Sequence, residues 1–179
     1  LESVEFGDLA QSSLTSIGND TFKENVNLEC IILPDMLTKI GSMPFQLSGL
    51  TTITLPSLLG EISQDLFFKT LIQNLSIPDG VTRIAEKAFE CHQFLESVTF
   101  SPNSSLQVVS EFAFHNSLEL KYIHFPDSVT EIGSNAFEYC SNLKSVNLGS
   151  ELVTLEEYLF ASCYNLSHVT IGDKVTTIR

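Results

Sequence analysis

Apolar residues recur along this chain in a fixed order that keeps restarting. Units open at Leu1, Leu28, Leu50, Ile72, Leu95, Leu120, Leu143 and Leu166, so successive openings lie 27, 22, 22, 23, 25, 23 and 23 residues apart. Three residues after each opening stand Val4, Ile31, Ile53, Leu75, Val98, Ile123, Val146 and Val169. Two further on come Phe6, Leu33, Leu55, Ile77, Phe100, Phe125, Leu148 and Ile171, usually followed by Pro or Gly. Two aliphatic columns follow, Leu14 to Val175 and Ile17 to Ile178. Last is an unbroken aromatic column: Phe22, Phe45, Phe67, Phe89, Phe114, Phe137 and Phe160.

The spacing within a unit predicts its local shape. Alternation around the fourth and sixth residues puts two side chains on one face of a short strand, such as 121–125 or 144–148. Pro or Gly then ends the strand by removing a donor or allowing a sharp turn. The segment around each Phe, such as Ser-Asn-Ala-Phe-Glu-Tyr-Cys at 134–140, is long enough for about one helical turn. No single unit can bury its own apolar side, so units must stack and share one core. The prediction is a right-handed solenoid of ~23-residue turns. One parallel sheet lines its concave side and short helical turns its convex side. The whole of 1–179 reads as one repeat domain, with seven full units and a partial one from 166. Both outer units carry ordinary apolar columns rather than polar caps, which makes the chain read as an excerpt of a longer solenoid.

These motifs, clearest in LKYIHFPDSVTEIGSNAFEYCSN at 120–142, resemble the BspA-like class of leucine-rich repeats over the whole chain. No Asn recurs after the strand, so the asparagine ladder of ordinary leucine-rich repeats is not expected. The resemblance implies surface or secreted proteins of bacteria and parasitic protists, acting in adhesion or host-protein binding. The localisation it implies is therefore the cell surface or the extracellular space, although an intracellular setting stays open.

Composition narrows the partner. The net charge of −13 opposes binding to phosphate backbones, so nucleic acid is not expected. No window has the roughly 18 apolar residues of a membrane-spanning helix. Charged residues are only 17% of the chain, which makes much of the surface neutral and hydroxyl-rich. No metal-ligand spacing, nucleophile motif or phosphate loop occurs, so no catalytic, cofactor or metal site is assigned. Four histidines, His92, His115, His124 and His168, read as solvated surface residues. Cys140 and Cys163 share one register in adjacent units, within backbone reach of a disulfide. A column of equivalent side chains points one way, however, which favours separate thiols filling the convex side.

The candidate binding face is the outer side of the strands, where neighbouring units place side chains in rows. Near the C-terminal end it gathers Tyr122, His124, Ser145, Asn147, His168 and Thr170, with Lys121 and Lys144 alongside. Aromatic residues on an exposed sheet are plausible anchors. Of four Asn-x-Ser/Thr sequons, Asn103 is the candidate for glycosylation, because it falls in the inserted loop of the fifth unit. The sequence thus points to a non-catalytic module that binds another protein, with host or extracellular-matrix proteins among the partners. An intracellular interaction scaffold and a spacer stalk are the rivals.

Overall fold

The structure is a computed structural model of residues 1–179, describing every residue except the side chain of Ala10. It is a solenoid of about seven turns, ~23 residues each, and its turns are joined along three seams.

The first seam is the expected one. Strands Cys30–Ile32, Thr52–Thr54, Asn74–Ile77, Ser97–Phe100, Tyr122–His124, Ser145–Asn147 and His168–Thr170 lie in parallel. Their register keeps each column aligned, as in Ile123 beside Val146 beside Val169. The alternation buries Ile31, Leu75, Val98, Ile123 and Val146 and turns the residues on either side outward. This ladder is interrupted between Thr52–Thr54 and Asn74–Ile77, so one continuous sheet is not formed. The segment from Leu1 to Phe6 likewise forms no strand.

A second seam was not anticipated. The second aliphatic column lies in two-residue strands: Ser16–Ile17, Lys39–Ile40, Glu61–Ile62, Arg83–Ile84, Val108–Val109, Glu131–Ile132, Thr154–Leu155 and Thr177–Ile178. They pair in parallel as three sheets. The residues read as a mere return path therefore build a ladder of their own.

The third seam replaces the expected helical turns. Among the described residues, the one helical element is a single 3-10 turn at Leu9–Gln11. Around every core Phe, the residues two before and two after adopt positive φ, from Asp20 (54°) and Glu24 (62°) to Tyr158 (56°) and Ser162 (58°). Two left-handed residues in five leave no run of right-handed backbone for a helix to occupy. Their N–H groups reach the next turn instead. Lys87, Phe89 and Cys91 donate to the carbonyls of Glu111, Ala113 and His115, and the pattern repeats from Phe112, Phe114 and Asn116 to Ser134, Ala136 and Glu138.

The three seams enclose one apolar core. At its centre the seven Phe rings form a stack, with neighbouring centroids 4.9–6.3 Å apart and planes within 5–20° of parallel. Phe45, Phe67, Phe89, Phe114 and Phe137 are fully buried.

Three residues after each Phe runs a column of small hydrogen-bonding groups. Ser117 Oγ donates to Phe89 O at 2.7 Å, Cys140 Sγ to Phe114 O at 3.0 Å and Cys163 Sγ to Phe137 O at 3.0 Å. All four cysteines are free thiols, and this column explains why Cys140 and Cys163 stay apart: each points at a carbonyl of the turn before it. Burial pushes both thiols up, Cys140 far above the usual range and Cys163 to about 11.

His92 occupies the same column and is 1% exposed, which corrects the expectation of a solvated side chain. The Thr70 hydroxyl donates to Phe67 O, so its contact with His92 Nε2 at 3.1 Å is one in which the imidazole donates. Nδ1 then holds a buried lone pair with no partner. Burial pulls its pKa down to about 4. His115 departs from the expectation as well: it is half-buried, between Glu90 at 3.4 Å and Glu138 at 3.7 Å.

Candidate protein-binding face

Parallel pairing turns the predicted columns into rows. Tyr122, Ser145 and His168 lie side by side in one row, and His124, Asn147 and Thr170 in the next. The side chains between them, Ile123 and Val146, are buried, which fixes the outward direction of their neighbours. Tyr122 is 51% exposed, and His124, His168 and Thr170 are also exposed. Ser145 and Asn147 are half-buried.

Several of these groups are already engaged. Asn147 Oδ1 accepts the Gly149 N–H at 3.0 Å, so its amide is held in place at the end of the strand. His168 Nε2 lies 3.3 Å from Thr170 Oγ1. The two lysines differ. Lys121 Nζ is tied to Glu96 Oε2, a contact that raises its pKa, and is not a free cation. Lys144 stands exposed with no ion pair among the described residues.

The two outward columns of the strands carry no Asp, Glu, Lys or Arg. The outward residues of the seven strands run Cys30, Thr52, Asn74, Ser97, Tyr122, Ser145, His168 in one column and Ile32, Thr54, Ser76, Thr99, His124, Asn147, Thr170 in the other. None is Asp, Glu, Lys or Arg, in a chain whose net charge is −13. Along these two columns a partner therefore meets hydroxyls, amides, two imidazoles and one tyrosine, with the Cys30 thiol and the Ile32 side chain at the far end. At the other end Ile32 is 65% exposed, an apolar side chain in the outer column.

Below His124 the face opens into a depression of about 410 Å³, lined by Phe100, Pro102, His124, Asp127 and Asn147 among others. Phe100 and Phe125 back it as a tilted pair 5.5 Å apart. The inserted loop of the fifth unit forms one wall, and Asn103 is exposed within it. Loop and strand face, separate features in the sequence, thus meet at one place. Among the described residues there is no cluster of three His, Cys, Asp or Glu that could hold a metal ion, and no helix long and apolar enough to cross a membrane.

Comparison with known proteins agrees with the architecture. The chain matches the BspA type leucine-rich repeat region, in six copies, over residues 2–93 and 60–179. Among solved structures it resembles the T. pallidum leucine-rich repeat protein, with 27% identity and a TM-score of 0.63. That likeness covers 92% of this chain and 67% of the other. It also resembles the pneumococcal vaccine antigen PcpA in fold, with 20% identity and a TM-score of 0.64, covering 90% of this chain and 57% of that one. Among curated proteins none matches. Repeat register, stacked parallel seams and the match along both halves lead to one assignment: the chain belongs to the BspA type leucine-rich repeat family.

Proposed function

We propose that this chain is a non-catalytic protein-binding module of a cell-surface or secreted adhesion protein, and that it binds through the strand face around Tyr122, His124 and His168. Leucine-rich repeat stacks of this type are typically protein-interaction scaffolds, which supports the general class. The observation that carries the finer reading is the pair of outward columns, free of Asp, Glu, Lys and Arg along seven strands and hollowed beside His124. Tyr122 gives it a large ring with a polar tip, the side-chain type enriched where binding energy concentrates. A partner protein that lies across the strands buries Tyr122 and seats an apolar side chain in the hollow. Family membership supports the extracellular setting, and a glycan on exposed Asn103 would border the hollow. Host and extracellular-matrix proteins are the partners this reading favours.

The intracellular scaffold keeps one observation on its side: four unpaired thiols, with Cys30 exposed. Thiol titration of the native protein from its own host, together with glycan analysis at Asn103, separates the two settings. The binding face is tested with Tyr122→Ala combined with His124→Ala. Both residues are exposed, so circular dichroism and melting temperature stay nearly unchanged while capture of a partner in a pull-down weakens by roughly tenfold or more. Unaltered capture moves the site off the strand face.

A further inference from the structure

A different surface, on the second ladder, carries a site of its own. Two residues before each aliphatic of that ladder stand Thr15, Thr38, Gly60, Thr82, Gln107, Thr130, Val153 and Thr176. Gly60 is the one member without a side chain, and the backbone does not require it. Its φ lies outside the left-handed region, and a Cβ built there meets nothing within 4 Å. Neither turn geometry nor packing explains this glycine.

The ladder also opens at this place. Thr38, Thr82, Gln107, Thr130 and Thr176 donate to the preceding turn at 2.9–3.0 Å, whereas Gly60 N reaches Thr38 O only at 3.4 Å. The pairing of Lys39–Ile40 with Glu61–Ile62 is lost there, as is that of Glu131–Ile132 with Thr154–Leu155 further along. The result is a groove of about 750 Å³ whose walls include Lys39, Gly60, Glu61, Gln64 and Arg83.

Its charge departs from that of the molecule. Of nine basic side chains, Lys23, Lys87, Lys121, Lys174 and Arg179 are paired with carboxylates, and Lys69 lies over the Phe68 ring. Lys39 and Arg83 form no ion pair among the described residues, although Glu61 stands in the column between them. Glu86, at the margin, is neutralised by Lys87 at 3.6 Å. In a chain of net charge −13, two unsatisfied cations flank an open notch.

We propose that this groove binds an extended, proline-containing segment of a partner protein whose acidic side chains recur every third residue. Lys39 and Arg83 are two turns of the stack apart, on the order of 10 Å. A polyproline II segment advances about 9.3 Å in three residues and returns the same face each time. Two carboxylates so spaced meet the Lys39 ammonium and the Arg83 guanidinium together. Glu61 denies the middle position to a third acid, which sets the spacing. The notch at Gly60 admits the backbone or a proline ring between them, and Gln64, whose Nε2 donates one hydrogen to Asp65 Oδ2 at 3.2 Å, offers the other to a peptide carbonyl.

The test uses the whole chain at low ionic strength and a fluorescent peptide, Pro-Glu-Pro-Pro-Glu-Pro with blocked ends, read by anisotropy. Saturable binding is expected, with losses of roughly tenfold or more for the Gln-substituted peptide, for a Pro-Glu-Pro-Glu-Pro peptide, and for Arg83→Gln. The decisive variant is Gly60→Thr, which restores the ladder column and fills the notch. Its melting temperature should stay level or rise while binding falls at least about tenfold. Tyr122→Ala with His124→Ala should leave peptide binding intact, which separates this site from the strand face. Equal binding by Gly60→Thr, indifference to the acidic residues or their spacing, or no saturation with millimolar peptide would each overturn the proposal.

Discussion

Truncating Phe137 tests whether the ring stack holds the turns together. The side chain is fully buried and lies flat between Phe114, at 5.2 Å and 5°, and Phe160, at 5.7 Å and 19°. Phe125 touches its edge at 5.9 Å. Phe137→Ala therefore removes the ring's own burial, leaves a void the rigid turns on either side cannot close, and ends three ring–ring contacts. Burial and void together cost about 3–5 kcal/mol for a Phe in a close-packed core. Ring pairing of about 0.5–1.5 kcal/mol per contact puts the loss toward the top of that range. Phe22 supplies the internal control. It is half-buried and stacks on Phe45 alone, so Phe22→Ala should cost well under half as much. Urea titration followed by circular dichroism gives both values if the slope with denaturant is unchanged. A loss below about 1 kcal/mol for Phe137→Ala, or equal losses for the two variants, would refute the argument.

Other residues give sharper readouts of single features. His92 has a folded pKa of about 4, below its unfolded value near 6.5, so the unfolded chain takes up a proton first as the pH falls. Stability is then fully present above about pH 6.5 and declines toward pH 4, by an amount on the order of 3 kcal/mol, and His92→Thr should flatten that slope in urea midpoints measured against pH. Cys30 should react with a thiol reagent in the native protein while Cys140 stays silent until denaturant is added; early modification of Cys140, seen by peptide mass spectrometry, would contradict its burial. At Glu24, exposed and at φ 62°, Val should be about 1–2 kcal/mol less stable than Gly in thermal melts, because only Gly enters the left-handed region without a Cβ penalty.

The core was legible because stacking forces every turn to repeat the same apolar choice. A column of seven Phe or eight aliphatics stands out in the sequence for the reason it exists in the fold. The turn seam was not legible. Some of its left-handed positions hold Asp or Asn, as at Asp20, Asp65, Asn116 and Asn135, but others hold Met43, Leu47, Lys69, Lys87 and Tyr139, which give no turn signal and break the pattern. Hydrogen bonds to the adjacent turn impose their backbone, and that constraint is tertiary. The second ladder escaped for another reason, since two residues cannot show an alternation. His92 could have been placed: Asn25, Ser48, Thr70, Ser117, Cys140 and Cys163 fill its column with small hydrogen-bonding groups, and a column beside the Phe stack faces inward. At the strand face the neighbours were legible but not their states, because nothing in a row of residues says that Lys121 is bound to Glu96 while Lys144 forms no ion pair among the described residues.

The seams also explain why recognition can change on one face without disturbing another. Along the turn seam, N–H groups point to the following turn, as from Phe89 to Ala113. Along the second ladder they point to the preceding one, as from Thr130 to Gln107. The two sets of peptide dipoles oppose each other along the stack, and the seams are held by backbone donors whose acceptors lie in the neighbouring turn. Outward residues are released from any structural duty beyond tolerating a strand or a turn. A change as small as Thr to Gly at position 60 can then open a groove, and a Tyr at position 122 can mark a strand, while Ile62 and Ile123 beside them remain buried in an unaltered column. In this architecture the sequence information for folding and for binding occupies alternate positions, and a surface residue that departs from its column is therefore evidence about recognition rather than about stability.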